Sequence, residues 1–228
     1  MSTPEPPRSP PIKPDLPRYG RYVAIPAIAI LLLITINTLT TRPNGVTGVA
    51  PGRRLPPFAA PLVLGDVEGD PDIARHDHEG ANGDVAACRL RGPGILNVCQ
   101  LYERSPLVLA LFVDSGSCAG IVGDLQRLVP AFPGVRFAAV ALNGDRGSLR
   151  RLIARDRLTL PLAYDRGGTL LALYKVATCP QVTFALPGGV ALGKTLLSRP
   201  SPAALRRRVE GLVAAAKARG WKPGGAGA

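Results

Sequence analysis

Leu107-Val108-Leu109-Ala110-Leu111-Phe112-Val113 is a run of seven consecutive apolar residues. A run of this length predicts a central strand buried on both faces. Asp114-Ser115-Gly116-Ser117 breaks it. From Cys118 to Phe132 the apolar residues Ile121, Val122, Leu125, Leu128 and Val129 recur at helical spacing, and Pro133-Gly134 ends the stripe. Val135 to Leu142 then predicts a second strand, and strand, helix and strand in this length make a right-handed parallel crossover. Downstream, Gly147 to Asp156 predicts a short basic helix, Leu160 to Tyr164 a connector and Thr169 to Tyr174 another short helix. Val182 to Leu186 and Val190 to Thr195 flank Pro187-Gly188-Gly189 as a hairpin. Ser201-Pro202 opens a last helix with Leu205, Val209, Leu212, Val213 and Ala216 on one face. The predicted order of this part is β-α-β-α-β-β-α.

Upstream, Leu55 to Gly65 alternates poorly but can supply a first strand. The acidic, Gly-rich stretch 65–84 reads as a long loop. Val85 to Val98 predicts a hairpin around Arg91-Gly92-Pro93-Gly94, with Cys88 and Cys99 on its two arms.

A different pattern precedes all of this. No charged residue occurs from Tyr22 to Thr41, and Val23 to Ile34 is almost wholly apolar. Twenty residues at about 1.5 Å rise span about 30 Å, the hydrocarbon thickness of a bilayer. Pro26 falls in the first turns, where its missing donor costs least. Arg8, Lys13, Arg18 and Arg21 precede the segment, and Arg42, Arg53 and Arg54 follow it. This small bias sets the amino terminus in the cytoplasm. The one candidate cleavage site, Gly48-Val49-Ala50, is followed by Pro51, which favours a retained signal anchor over a cleaved leader. The organisation expected is a Pro-rich cytoplasmic tail at 1–21, a transmembrane anchor at 22–41, a linker at 42–54, a globular domain at 55–215 with an insert at about 66–99, and a tail at 216–228.

Composition adjusts this picture at three points. At 228 residues the chain holds one domain with appendages or two small ones, and 46% hydrophobic with 19% charged residues is enough to bury a core. The net charge of +12 is uneven, because residues 66–84 carry seven acids against Arg75 alone. No basic stripe with interleaved aromatics accompanies it, so no nucleic-acid partner is expected, and a membrane surface is the better neighbour for the excess. Arg206-Arg207-Arg208 reads as a solvated helix face that could touch anionic headgroups. Finally, four cysteines in an exported domain permit two bridges with three connectivities.

The buried strand at 107–113 leading to Cys118 at a helix start, the crossover to 135–142, the segment Tyr174 to Phe184 with Cys179-Pro180, and the Gly188-Gly189 hairpin with its closing helix resemble the thioredoxin-like superfamily. The likeness is nearest to membrane-anchored proteins of the redoxin and cytochrome-maturation kind and covers roughly 55–215. It implies an α/β three-layer fold with a central mixed sheet, thiol–disulfide exchange, and a cis-proline at Pro180. The family site is Cys-x-x-Cys, whereas this chain reads Cys118-Ala119-Gly120-Ile121 with Ser117 in front. Dithiol cycling within the motif is therefore impossible.

In that family the residue before the cis-proline packs against the motif, which implies that Cys179 neighbours Cys118. A helix start favours thiolate, so Cys118 is expected to be the most nucleophilic thiol. Three readings compete: a redox couple in which Cys118 attacks and Cys179 resolves, a permanent bridge, and unlinked thiols. The site expected is thus Cys118, Cys179 and Pro180. Cys88 and Cys99, eleven positions apart around a turn, read as a structural disulfide, or as alternative resolving thiols should either approach Cys118.

Three weaker signals complete the chemistry. Ser115-x-x-Cys118 resembles the peroxiredoxin pattern without its upstream proline, a lesser reading. Asp114 is a candidate proton acceptor near the thiol or a solvated turn. His76-Asp77-His78-Glu79 and the alternating acids Asp66 to Asp72 lack complete ligand patterns, so no metal is expected. The function expected is a membrane-tethered, extracytoplasmic thiol–disulfide oxidoreductase without a cofactor, acting on a thiol- or disulfide-bearing envelope protein. The alternative is a redox-inactive adaptor on the same scaffold.

Overall fold

The computed structural model describes residues 24–35, 48–67 and 85–223. The Pro-rich tail at 1–21, both flanks of the apolar segment, most of the acidic stretch with His76 and His78, and the last five residues lie outside the described residues. The chain divides into two units, Met1–Gly45 and Val46–Ala228.

In the first unit, residues 24–35 form helix α1, all of it exposed. Helicity agrees with its composition. The rest of the apolar segment, 22–23 and 36–41, lies outside the described residues. No helix among the described residues is long and apolar enough to cross a membrane, so the structure does not support the transmembrane helix expected over 22–41.

The second unit is built on a four-stranded mixed sheet of order β5-β4-β3-β6. Its strands are β3 (Leu107–Phe112), β4 (Arg136–Leu142), β5 (Leu162–Asp165) and β6 (Gln181–Ala185). β3 and β4 run parallel with Leu107 opposite Arg136, and β6 runs antiparallel to β3 with Leu107 opposite Ala185. Every residue of β3 is buried, as its continuous apolar run requires, because side chains alternate between two covered faces. Val108, Ala110 and Phe112 point into one core layer, with residues of α3 (Gly116–Leu128), α4 (Arg146–Asp156) and α6 (Pro202–Ala218). Leu107, Leu109 and Leu111 point into the other, with α2 (Val98–Tyr102), α5 (Thr169–Leu173) and a short antiparallel pair, β1 (Ala59–Pro61) with β2 (Ile95–Asn97). The outcome is the expected three-layer arrangement.

Several elements differ from the sequence pattern. Residues 85–98 do not form a hairpin. Ala87–Arg89 is a 3-10 turn, and β2 pairs instead with β1, across the acidic insert. Asn97 explains the local geometry: its buried amide donates to the carbonyls of Ala87 and Leu90, while its Oδ1 accepts from Gln100 and caps α2. Residues 160–164 are not a connector either, since Leu162–Asp165 forms β5, parallel to β4. The second arm of the 182–195 hairpin reduces to single bridges, Ala185 to Ala191 and Val182 to Leu196. Its turn needs glycine: Gly189 has φ +81°, and a Cβ there would strike the Tyr102 ring.

Tyr174, the largest fully buried side chain, donates its hydroxyl to the carbonyl of Pro56 at 2.7 Å and packs edge-on against Phe58. Burial first, then the charge of Tyr102, raises its pKa well above the ordinary tyrosine value of 10.0. The folded chain therefore holds this proton more tightly than the unfolded chain does. The stability it contributes is complete below pH about 10 and is lost as the pH rises beyond it. Tyr174→Phe is expected to cost about 1–3 kcal/mol near neutral pH by orphaning the Pro56 carbonyl, and to weaken the alkaline loss. Urea melts of both proteins across the alkaline range provide the measurement.

Candidate active site

The loop leaving β3 and the loop entering β6 meet at one end of the sheet, beyond the carboxyl ends of its parallel strands, where α/β folds place their sites. Ser115 takes the N-cap position of α3 in extended conformation, and Gly116 follows with φ +46°, a value that favours glycine. Cys118 lies two positions further on, in the first helical turn. Across the gap, Cys179 precedes Pro180, and the bond between them is cis.

Cys118 and Cys179 form a disulfide with their Cα atoms 5.6 Å apart. The three expected site residues are thus assembled. Cys88 and Cys99 form the second disulfide, with Cα atoms 5.4 Å apart, and there is no free cysteine. Cys88 and Cys99 are paired to each other, so neither stands as a resolving partner for Cys118.

The backbone amide of Val113, the first residue past β3, donates to both sulfurs of the Cys118–Cys179 bond, at 3.3 Å to Cys118 and 3.1 Å to Cys179. No residue identity marks this donor, since any non-proline residue carries it. Helix α3 has no acidic residue in its first turn, and Ser115 makes no side-chain cap. The first turn itself therefore carries no acid to compete for the positive end of the helix. Asp114 does not cap the helix. Its carboxylate accepts the Ser148 hydroxyl at 2.6 Å, and Asp145 caps α4 through the Ser148 amide. The rim consists of small neutral residues, Ser115, Gly116, Ser117, Ala177 and Thr178, with Val113 also exposed. Beneath them Gln181 is fully buried, donating to the Tyr174 carbonyl while its Oε1 finds no partner.

The position that would carry a second motif cysteine, Ile121, is fully buried in the core. Gly120 beside it has a separate reason: a Cβ there would collide with the Arg199 guanidinium. That guanidinium is held by Asp124, one turn further along α3, with Nε donating to Oδ2 at 2.6 Å. Asp124 also binds Arg127, and its side chain is almost completely buried while both arginines are partly solvated. Asp124→Ala leaves two cations that water can still reach, so a loss of about 1–2 kcal/mol is expected in urea denaturation, less than for a buried pair.

Among the described residues no group of side chains could hold a metal ion. Arg206, Arg207 and Arg208 are exposed on α6, with Arg206 lying over the Phe132 ring.

No protein-family model and no curated protein matches the sequence. Solved structures do match the architecture. One is a protein named as a candidate thiol:disulfide interchange protein DsbE from Chlorobium tepidum. It is 17% identical, with 72% of this chain and 99% of that one covered, at a TM-score of 0.54. The fold is thioredoxin-like. Two further structures share this thioredoxin-like architecture, both at a TM-score of 0.52 and 13% identity. They are the thioredoxin domain of a thiol-disulfide oxidoreductase from Bacteroides vulgatus, covering 72% of this chain and 99% of that one, and a thioredoxin-family thiol:disulfide interchange protein from Chlorobium tepidum TLS, covering 73% and 99%. At these identities the likeness speaks to the fold, and chemistry has to be argued from the cysteines.

Proposed function

We propose that this thioredoxin-like domain is a thiol–disulfide oxidoreductase working through the Cys118–Cys179 bond, held on the outer face of a membrane by the apolar segment 22–41. One observation carries the reading. The bond joins a sulfur in the first turn of α3 to an exposed residue on the facing loop, so it is both reachable and connected to a sulfur that can leave as thiolate. The activity in the names of the similar structures is of the same kind. Two disulfides and no free cysteine suit an oxidising compartment outside the cytoplasm. The tether rests on the uncharged sequence from Tyr22 to Thr41 alone. The partner class is a dithiol or disulfide protein of the envelope, and no cofactor takes part.

One observation favours a second reading. Ile121 fills the core where a motif cysteine would stand, as in a scaffold kept for its surface rather than for chemistry. Alkylation with mass spectrometry on the folded protein, before and after mild dithiothreitol, separates the two. Reversible opening of Cys118–Cys179 together with oxidation of a reduced dithiol peptide supports exchange. A bond untouched by the reductant in the folded state leaves the adaptor.

A further inference from the structure

We infer that the sulfur attacked by the partner is that of Cys179, and that Cys118 is the leaving and resolving sulfur, the reverse of the order in which a motif cysteine at the helix start takes the partner first. The inference rests on the oxidoreductase reading and adds the direction of approach.

Access is the first argument. Cys118 is 7% exposed and belongs to the core layer with Ile121 and Val122, whereas Cys179 is exposed among Ala177 and Thr178. A thiolate attacks a disulfide sulfur along the axis of the bond, from the side away from the leaving sulfur. Such an approach needs solvent access to the attacked sulfur, which the exposed Cys179 offers and the buried Cys118 does not.

The leaving group is the second argument. Exchange is faster when the expelled sulfur is the better thiolate. Expelling Cys118 places the charge in the first turn of α3, a 13-residue helix with no acidic residue in that turn and no side-chain cap. The Val113 amide donates to both sulfurs and does not decide between them. Asp114, the nearest carboxylate in sequence, lies ahead of the N-cap and is turned to the Ser148 hydroxyl of α4, where it keeps its charge. Expelling Cys179 would leave the charge on a loop with no helix end behind it. Access and leaving group therefore select the same sulfur.

The reaction balances without a further reagent. A partner thiolate bonds to the Cys179 sulfur. The Cys118–Cys179 bond breaks, and its electron pair goes to Cys118 as thiolate. The partner's second thiol, once deprotonated, attacks the partner sulfur of the mixed disulfide and expels Cys179 as thiolate. The partner loses two electrons and two protons and becomes a disulfide, while the Cys118–Cys179 pair gains the two electrons. In the reverse direction Cys179 takes a partner disulfide and Cys118 closes on Cys179.

The test uses the oxidised full-length chain in detergent and glutathione as a monothiol probe, quenched within seconds by acid and N-ethylmaleimide and mapped by mass spectrometry. The glutathione adduct is expected on Cys179 and the alkyl group on Cys118, with roughly tenfold or greater excess over the opposite pattern. Adducts on Cys118, or an even split, overturn the inference while leaving exchange itself intact. Adducts on Cys179 without turnover of a dithiol peptide sustain the inference and remove the oxidoreductase reading. A bond that does not open removes both.

Discussion

Cys118→Ser and Cys179→Ser each reduce oxidation of a dithiol peptide to the rate of the uncatalysed reaction, an expected loss of two or more orders of magnitude. The chain offers no substitute for either sulfur. Cys88 and Cys99 are bonded to each other, and the residue three positions after Cys118 is a buried isoleucine. The two variants should nevertheless fail differently. With Cys118 replaced, the exposed Cys179 still accepts a partner disulfide but nothing closes on it, so a mixed disulfide accumulates. With Cys179 replaced, the remaining thiol is 7% exposed and little adduct forms. Non-reducing electrophoresis after incubation with an oxidised peptide reads the difference. Equal accumulation in both variants would show that exposure does not govern the chemistry, and undiminished turnover in either would end the oxidoreductase reading. Replacing both members of the second bridge, Cys88→Ala with Cys99→Ala, provides the control, because that bond lies outside the site and its loss should act on stability alone.

The fold was legible wherever one segment carries its own burial pattern. Strand β3 is apolar throughout because both faces are covered, and α3 and α6 show a stripe because each buries only one side. Strand β5 was not legible for the opposite reason. It is four residues long, follows Pro161, and ends on Asp165, whose carboxylate is buried and accepts the amides of Gly168, Thr169 and Leu170. An acid in that place reads as a loop, whereas here it organises the start of α5. Strand β2 misled because its partner is β1, more than thirty residues away, and nothing local distinguishes it from an arm of a hairpin. At the site, the meeting of Cys118 with Cys179 followed from family resemblance rather than from spacing. The exposure of Cys118 depends on which side of α3 faces the sheet, and that of Cys179 on the course of the loop before β6. The Val113 donor is backbone. Neither leaves a mark in residue identity.

Selective reduction of the Cys118–Cys179 bond is expected to lower the stability of the folded domain by about 2–4 kcal/mol. Chain entropy sets the upper figure: the bridge spans 61 positions, and closing a loop of that length in the unfolded chain contributes about 4 kcal/mol. The lower figure follows from the helix. Once reduced, Cys118 presents a thiolate to the uncapped start of α3, an interaction worth about 0.3–2 kcal/mol that the disulfide lacks. It stabilises the reduced fold and offsets part of the entropic loss. By linkage the same offset makes the bond a better oxidant, since whatever favours the reduced fold favours reduction. The second bridge, closing only 11 positions, should contribute about 3 kcal/mol. Chemical denaturation of the oxidised and reduced forms, with alkylation confirming that Cys88–Cys99 stays closed, measures the difference directly. A loss at or above about 4 kcal/mol would mean that the helix start does nothing for the thiolate, and the bond would then behave as a structural staple. A loss near 2 kcal/mol would place the domain among donors of disulfides, with the driving force located in the first turn of α3.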